Sequence, residues 1–158
     1  MWSARGSRLS QAAGPPQAHP FRMIDLVLEL DHGICTTVKS VTSGEEVRDD
    51  PASPAGYPFS LLLEVMVQAA IPLSGEEGAG AHGDRTPESP AGGALVGIDE
   101  ARLLAPVHYG DRLLVTASIV GQFGDMIRVK ARAERPDVPP GEGIVAEGEF
   151  TIALERTS

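Results

Sequence analysis

The chain has 158 residues, 42% of them hydrophobic and 4% aromatic, with a formal net charge of -9 and an isoelectric point near 4.8. That is the size of one ordinary domain, with enough apolar content for a core. The acidic balance argues against a phosphate-backbone binder, which needs clustered Lys and Arg, and the scarcity of aromatics argues against a stacking platform for single-stranded nucleic acid.

Residues 1 to 18, rich in Ser, Ala, Gly, Gln and Pro, bury too little apolar surface to offset ordering entropy and are expected to form a disordered tail. They carry positive charge but no apolar stretch of the kind a secretory signal needs, and nothing in the chain approaches the ~18 uninterrupted apolar residues of a membrane span. Cys35 is the only cysteine, and a thiol with no intrachain partner suits a reducing compartment. A soluble, cytoplasmic protein is expected, with Cys35 a small core residue rather than a nucleophile.

From residue 19 a folded domain is expected to run to residue 156. "HPFRMIDLVLEL" fits a short helical turn leading into a strand, and "GICTTVKSVT" is β-branched and reads as a second strand. Residues 43 to 56 are a polar loop punctuated by Pro and Gly. "YPFSLLLEVMVQAAIPL" predicts a helix from about Pro58 to Leu73, with Pro58 suited to its first turn and Pro72 tightening its last. Residues 74 to 93 are poor in apolar residues and read as a mobile insertion.

Four strands follow: "ALVGIDEARLL", "RLLVTASIVGQF", "MIRVKARAER" and "GIVAEGEFTIALE". Ile127, Val129, Ala131 and Ala133 alternate with Arg128, Lys130, Arg132 and Glu134, and Ile144 to Leu154 repeats the pattern, so each strand has one buried face. Gly124-Asp125 marks a tight hairpin, and "PDVPPGEG" a looser one. One long apolar helix followed by an antiparallel meander indicates an α+β fold, a sheet wrapped around a buried helix. No dinucleotide-binding glycine pattern, P-loop, nucleophile elbow or zinc spacing is present in the sequence, so neither cofactor nor metal is expected.

The helix carries a polar stripe. Ser60, Glu64 and Gln68 recur every fourth residue and share one face, while Leu61, Leu62, Leu63, Val65, Met66, Val67, Ala69 and Ala70 fill the others. A carboxylate drawn into low dielectric holds its proton more tightly, which suits a general acid. The alternatives are that Glu64 faces solvent or a subunit edge, or pairs with an arginine.

In this order, "HPFRMIDLVLEL", "LEVMVQAA" and "GIDEARLLAPVHYGDRLLV" resemble the β-hydroxyacyl-acyl-carrier-protein dehydratases, a hotdog-fold family. That family writes the segments as a Pro-Phe-Leu-Leu-Val-Asp opening, a Glu-Ala-x-x-Gln helix, and Gly-Ile-Asp-x-Ala-Arg-Phe running into Pro-Val-x-Pro-Gly-Asp. The resemblance covers roughly Pro20 to Leu154, and its third segment is the most specific, with Gly97, Ile98, Asp99, Ala101, Arg102, Pro106, Val107, Gly110 and Asp111 in register.

The resemblance implies two subunits joined edge to edge, an acyl tunnel between them, and removal of water from a (3R)-hydroxyacyl thioester in fatty acid or polyketide-type metabolism. A histidine from one subunit takes the α-proton, the helix glutamate of the other assists departure of the hydroxyl, and a backbone N–H at the helix start holds the thioester carbonyl. Glu64 matches the glutamate. Gln68, Phe59, Ser60, Tyr57, Leu63, Gly97 and His108 are the corresponding substrate-binding candidates. The ligand would be an acyl thioester on acyl-carrier protein or coenzyme A, and the assembly a homodimer, an oligomer of dimers, or a pair with an active hotdog subunit.

Two of the departures from the family bear on its catalytic groups. Its Gly-His-Phe-Pro loop places the histidine fourteen residues before the glutamate, and that count from Glu64 reaches Asp50 in "RDDPASPAGYP"; the glycine after the helix proline is Phe59. Asp50 is a weak replacement, since an ordinary aspartate titrates near ~4, and Asp49 and Asp50 also read as a solvated loop. His19, His32 in an Asp-His-Gly turn, and His82 have no orienting carboxylate at a readable spacing, and His108 reads first as a surface residue. Arg128, Lys130 and Arg132 could meet an acidic carrier, although a solvated sheet face is the plainer reading. A non-catalytic acyl-binding or carrier-binding subunit and a hotdog thioesterase are the alternative functions.

Overall fold

The computed structural model describes residues 22–42, 56–73, 93–139 and 141–154. Among these residues, helix α1 (Phe59–Ala70) lies against a six-stranded sheet of β1 (Leu26–Asp31), β2 (Ile34–Ser40), β3 (Gly93–Leu103), β4 (Arg112–Phe123), β5 (Met126–Glu134) and β6 (Ile144–Leu154). The spatial order is β1-β2-β4-β5-β6-β3, and every neighbouring pair is antiparallel. This is the hotdog arrangement expected from the sequence, with α1 packed against β2, β4, β5, β6 and β3.

Period-two patterning builds the concave face. Ile127, Val129, Ala131 and Ala133 are each at most 1% exposed, while Lys130 and Arg132 between them face out. The helix contributes Leu62, Val65, Met66, Val67, Ala69 and Ala70 to the same core, and Cys35 is buried there as expected. His32 and Gly33 (φ 48° and 76°) join β1 to β2 through a two-residue turn whose backbone requires positive φ at both positions.

The structure departs from the sequence expectations in four places. No helical turn precedes β1 among the described residues: the Asp25 N–H donates to the Val38 carbonyl and the Met23 N–H to a side chain of α1, so these donors serve the sheet and the helix. The helix ends at Ala70, not Leu73, because Pro72 has no N–H to extend it; the Ile71 N–H closes a tighter turn onto the Gln68 carbonyl. Gly93, assigned to the insertion from composition, is the first residue of β3. Only β4, β5 and β6 form a meander, since β3 crosses to the far edge beside β6 and leaves β4 to pair with β2.

The corner between β3 and β4 fixes the approach to the helix. Tyr57 donates its N–H to the Val107 carbonyl at 2.8 Å, and Val41 and the Gly110–Asp111 turn exchange backbone hydrogen bonds. Within the corner, Asp111 Oδ2 accepts hydrogen bonds from the His108 backbone N–H at 2.9 Å and from an Arg135 guanidinium N–H at 3.1 Å, while Arg135 also donates to the Pro106 carbonyl. Partial burial alone would raise the Asp111 carboxyl, but the His108 N–H and the Arg135 guanidinium outweigh it and hold the group below its ordinary value.

Two predictions follow from this packing. A folded-state pKa that is depressed stabilises the protein above the unfolded value and loses that contribution as pH falls through the folded value. Asp111→Asn should therefore cost about 1–2 kcal/mol at neutral pH, with the gap to wild type closing in denaturant melts below about pH 4. In β6, a Cβ added at Gly148 would lie 2.5 and 2.8 Å from ring atoms of Phe150 and 3.1 Å from Met66 Cε. Because Phe150 is fully buried, Gly148→Ala should cost about 1–3 kcal/mol in urea unfolding, from overpacking.

Candidate active site

The helix stripe crosses from core to surface. Ser60 and Glu64 are exposed, whereas Gln68, one turn further along, is fully buried. A glutamine with no access to water has to satisfy its amide internally. Its Oε1 accepts the backbone N–H of Met23 at 2.8 Å, and its Nε2 donates to Glu64 Oε1 at 2.7 Å. A continuous path therefore runs from the backbone ahead of β1, through the core, to a carboxylate at the surface.

Of the alternatives open for Glu64, the single chain takes the exposed one. The carboxylate does not lie in an apolar pocket of its own subunit, and among the described residues it forms no ion pair with an arginine. The reason is the side on which the helix packs: α1 meets the sheet through Leu62, Val65, Met66 and Ala69, leaving the Glu64 side open.

The other candidates divide between core and surface. Tyr57 is only 5% exposed and belongs to the core, with Phe59 and Leu63 half-buried against it. Pro58 caps the helix without a side-chain hydrogen bond, and its carbonyl accepts the N–H groups of Leu61 and Leu62. Gly97 lies on β3 opposite Thr151, beside a bulge, and His108 is exposed at the corner. Neither His108 nor His32 shares a hydrogen bond or ion pair with Glu64, since His108 uses its backbone toward Asp111 and His32 pairs with Asp31. Asp49, Asp50, His19 and His82 lie outside the described residues.

The basic strand face is neutralised in place. Arg128 lies 2.7 Å from Glu149 and 3.5 Å from Asp99, Arg132 pairs with Glu134, and Lys130 and Arg132 stand opposite Glu149 and Glu147 in the ladder. Glu100, Arg102, Lys130, Glu147 and Glu149 line a shallow polar cleft on this outer face. The arrangement favours a solvated, charge-balanced surface over a cationic docking stripe.

Two features escaped the sequence reading. The Met23 N–H is a backbone group whose role depends on where the chain passes the helix. Among the described residues, Lys39 is one of the largest fully buried side chains, at 1% exposure. The signal for Lys39 was available, since Cys35, Thr37 and Lys39 share one face of β2 by period two, but a lysine at the end of such a row is ordinarily read as exposed.

No helix among the described residues is long and apolar enough to cross a membrane. No family model matches the chain. Sequence relatives are nevertheless clear. The 3-hydroxyacyl-[acyl-carrier-protein] dehydratase FabZ of Thiobacillus denitrificans is 34% identical over 142 residues, covering 88% of this chain and 90% of that protein. FabZ of Symbiobacterium thermophilum is 38% identical over 110 residues, covering 66% and 70%.

Similar solved structures include the dehydratase heterocomplex ApeI:P from Xenorhabdus doucetiae, with a TM-score of 0.67, 16% identity, and coverage of 93% of this chain and 90% of that one. A hypothetical thioesterase from Streptococcus pneumoniae, solved with coenzyme A, has a TM-score of 0.61 at 11% identity, covering 82% and 84%. The structural likenesses establish the hotdog fold, and the sequence identity, sustained over most of both proteins, establishes the lineage. The chain belongs to the 3-hydroxyacyl-[acyl-carrier-protein] dehydratase FabZ family.

Proposed function

We propose that the chain is a subunit of a (3R)-hydroxyacyl-thioester dehydratase in which Glu64 supplies the proton to the departing hydroxyl. The observation that carries this reading is the exposed Glu64 carboxylate, held at 2.7 Å by the buried amide of Gln68, at the family's glutamate position. In the elimination a base removes the α-proton, the electron pair forms the carbon–carbon double bond, the C–O bond breaks, and the hydroxyl leaves as water with the Glu64 proton. The first N–H groups of α1, at Phe59 and Ser60, have no intrahelical acceptor and are the groups suited to hold the thioester oxygen.

An exposed acid needs a second surface to exclude water from the reaction. One edge of the sheet is β3, where Leu95, Val96 and Ile98 are 42%, 55% and 49% exposed. These residues support pairing of two subunits through β3, as the family resemblance implies. The substrate would be carried by acyl-carrier protein or coenzyme A. A reducing cytoplasm suits such chemistry and the single buried thiol, Cys35.

A second reading is favoured by the aspartate at position 50, which the resemblance aligns with the family's histidine. Near neutral pH an ordinary carboxylate is a much weaker base than imidazole. In this reading the chain pairs with a different hotdog subunit that brings the histidine, and contributes Glu64 to a shared site. The heterocomplex among its structural relatives provides an analogy for such pairing.

Purified protein is to be assayed with 3-hydroxyacyl and trans-2-enoyl thioesters, alone and mixed with a histidine-bearing FabZ subunit. Glu64→Gln should lower kcat/KM about 10²–10⁴-fold. Activity of the chain alone supports the first reading, and activity only in the mixture supports the second. Release of free thiol without enoyl product would replace both with hydrolysis.

A further inference from the structure

The amide of Gln68 allows only one arrangement of its neighbours. The Met23 backbone N–H is a donor and cannot accept, so the atom that meets it at 2.8 Å is the carbonyl oxygen of the amide. The NH₂ group is consequently turned to Glu64 and donates to Oε1 at 2.7 Å. An oxygen that accepts this bond is not the one that carries an acidic proton along the same line. Because Gln68 is fully buried, with its oxygen held by the segment ahead of β1 and its NH₂ group by the preceding turn of its own helix, the amide cannot flip without orphaning the Met23 N–H and setting two acceptors against each other.

We propose that Gln68 is a positioning residue that makes the two oxygens of Glu64 inequivalent: Oε1 is the anchored acceptor and Oε2 the atom that holds and delivers the proton. The proposal rests on the reading of Glu64 as the acid and adds to it the oxygen that reacts and the device that selects it. Its second consequence is that the carboxylate is held through the backbone at Met23. The acid is thereby referenced to the segment leading into β1 as well as to its own helix.

Two variants separate positioning from packing. Gln68→Glu keeps an acceptor for the Met23 N–H but replaces the donor facing Glu64, and Gln68→Met conserves volume while removing both bonds. Each is expected to lower kcat by about tenfold to a hundredfold, the worth of a hydrogen bond to a charged group, with KM within about threefold of wild type and the loss exceeding any fall in folded fraction measured by circular dichroism. Turnover that falls only in proportion to the folded fraction in both variants would overturn the proposal.

A spectroscopic arm does not depend on turnover, so failure of the dehydratase reading can be told apart from failure of this one. In the wild-type protein one of the two Gln68 side-chain NH₂ protons should resonate downfield and return upfield in Glu64→Ala, while the Met23 amide stays in place. NH₂ resonances unchanged by Glu64→Ala would contradict the arrangement whatever the protein catalyses.

Discussion

The buried amide of Gln68 is the point at which the core of this protein meets the carboxylate proposed as its acid, Glu64. Helix α1 is apolar on the faces that touch the sheet, and the concave surface of β4, β5 and β6 is lined by residues with almost no exposure. A polar group placed inside such a core must find partners at hydrogen-bonding distance or destabilise the fold. Gln68 finds one on the backbone at Met23 and one on Glu64. The packing that buries α1 thus also fixes the direction in which a surface carboxylate points.

A second set of contacts holds the beginning of the helix. Tyr57 is tied by its backbone to Val107, and the corner that carries Val107 is closed by Asp111 between the His108 N–H and the Arg135 guanidinium. The helix is therefore located near both ends, by the corner before it and by the Gln68 bridge to Met23 near its last turn. A carboxylate on a helix held in this way needs little reorganisation when a substrate arrives, which is the condition for acid catalysis by a fixed group.

Much of this was legible in the sequence because it depends on local periodicity. The alternation of Ile127, Val129, Ala131 and Ala133 gave β5 its inner face, and the i, i+4, i+8 spacing of Ser60, Glu64 and Gln68 gave the helix its stripe. What could not be read depends on contacts between distant segments. The crossing of β3 to the far edge, the partnership of Arg135 with Asp111, and the use of the Met23 N–H join residues separated by many positions in the chain. Glu64 illustrates the division: its place on the stripe followed from spacing, but its exposure followed from which side of α1 the sheet covers.

The central proposal is that Glu64 serves elimination at the 3-hydroxyl. The most direct measurement is mass spectrometry of the products from a (3R)-hydroxyacyl thioester labelled with heavy oxygen at the 3-hydroxyl, incubated with the protein and a histidine-bearing FabZ partner inactivated at its own glutamate. Appearance of an unlabelled enoyl thioester, lost when Glu64 is changed to Gln, is the predicted result. A free acid that retains the label, or an intact labelled thioester, would contradict it.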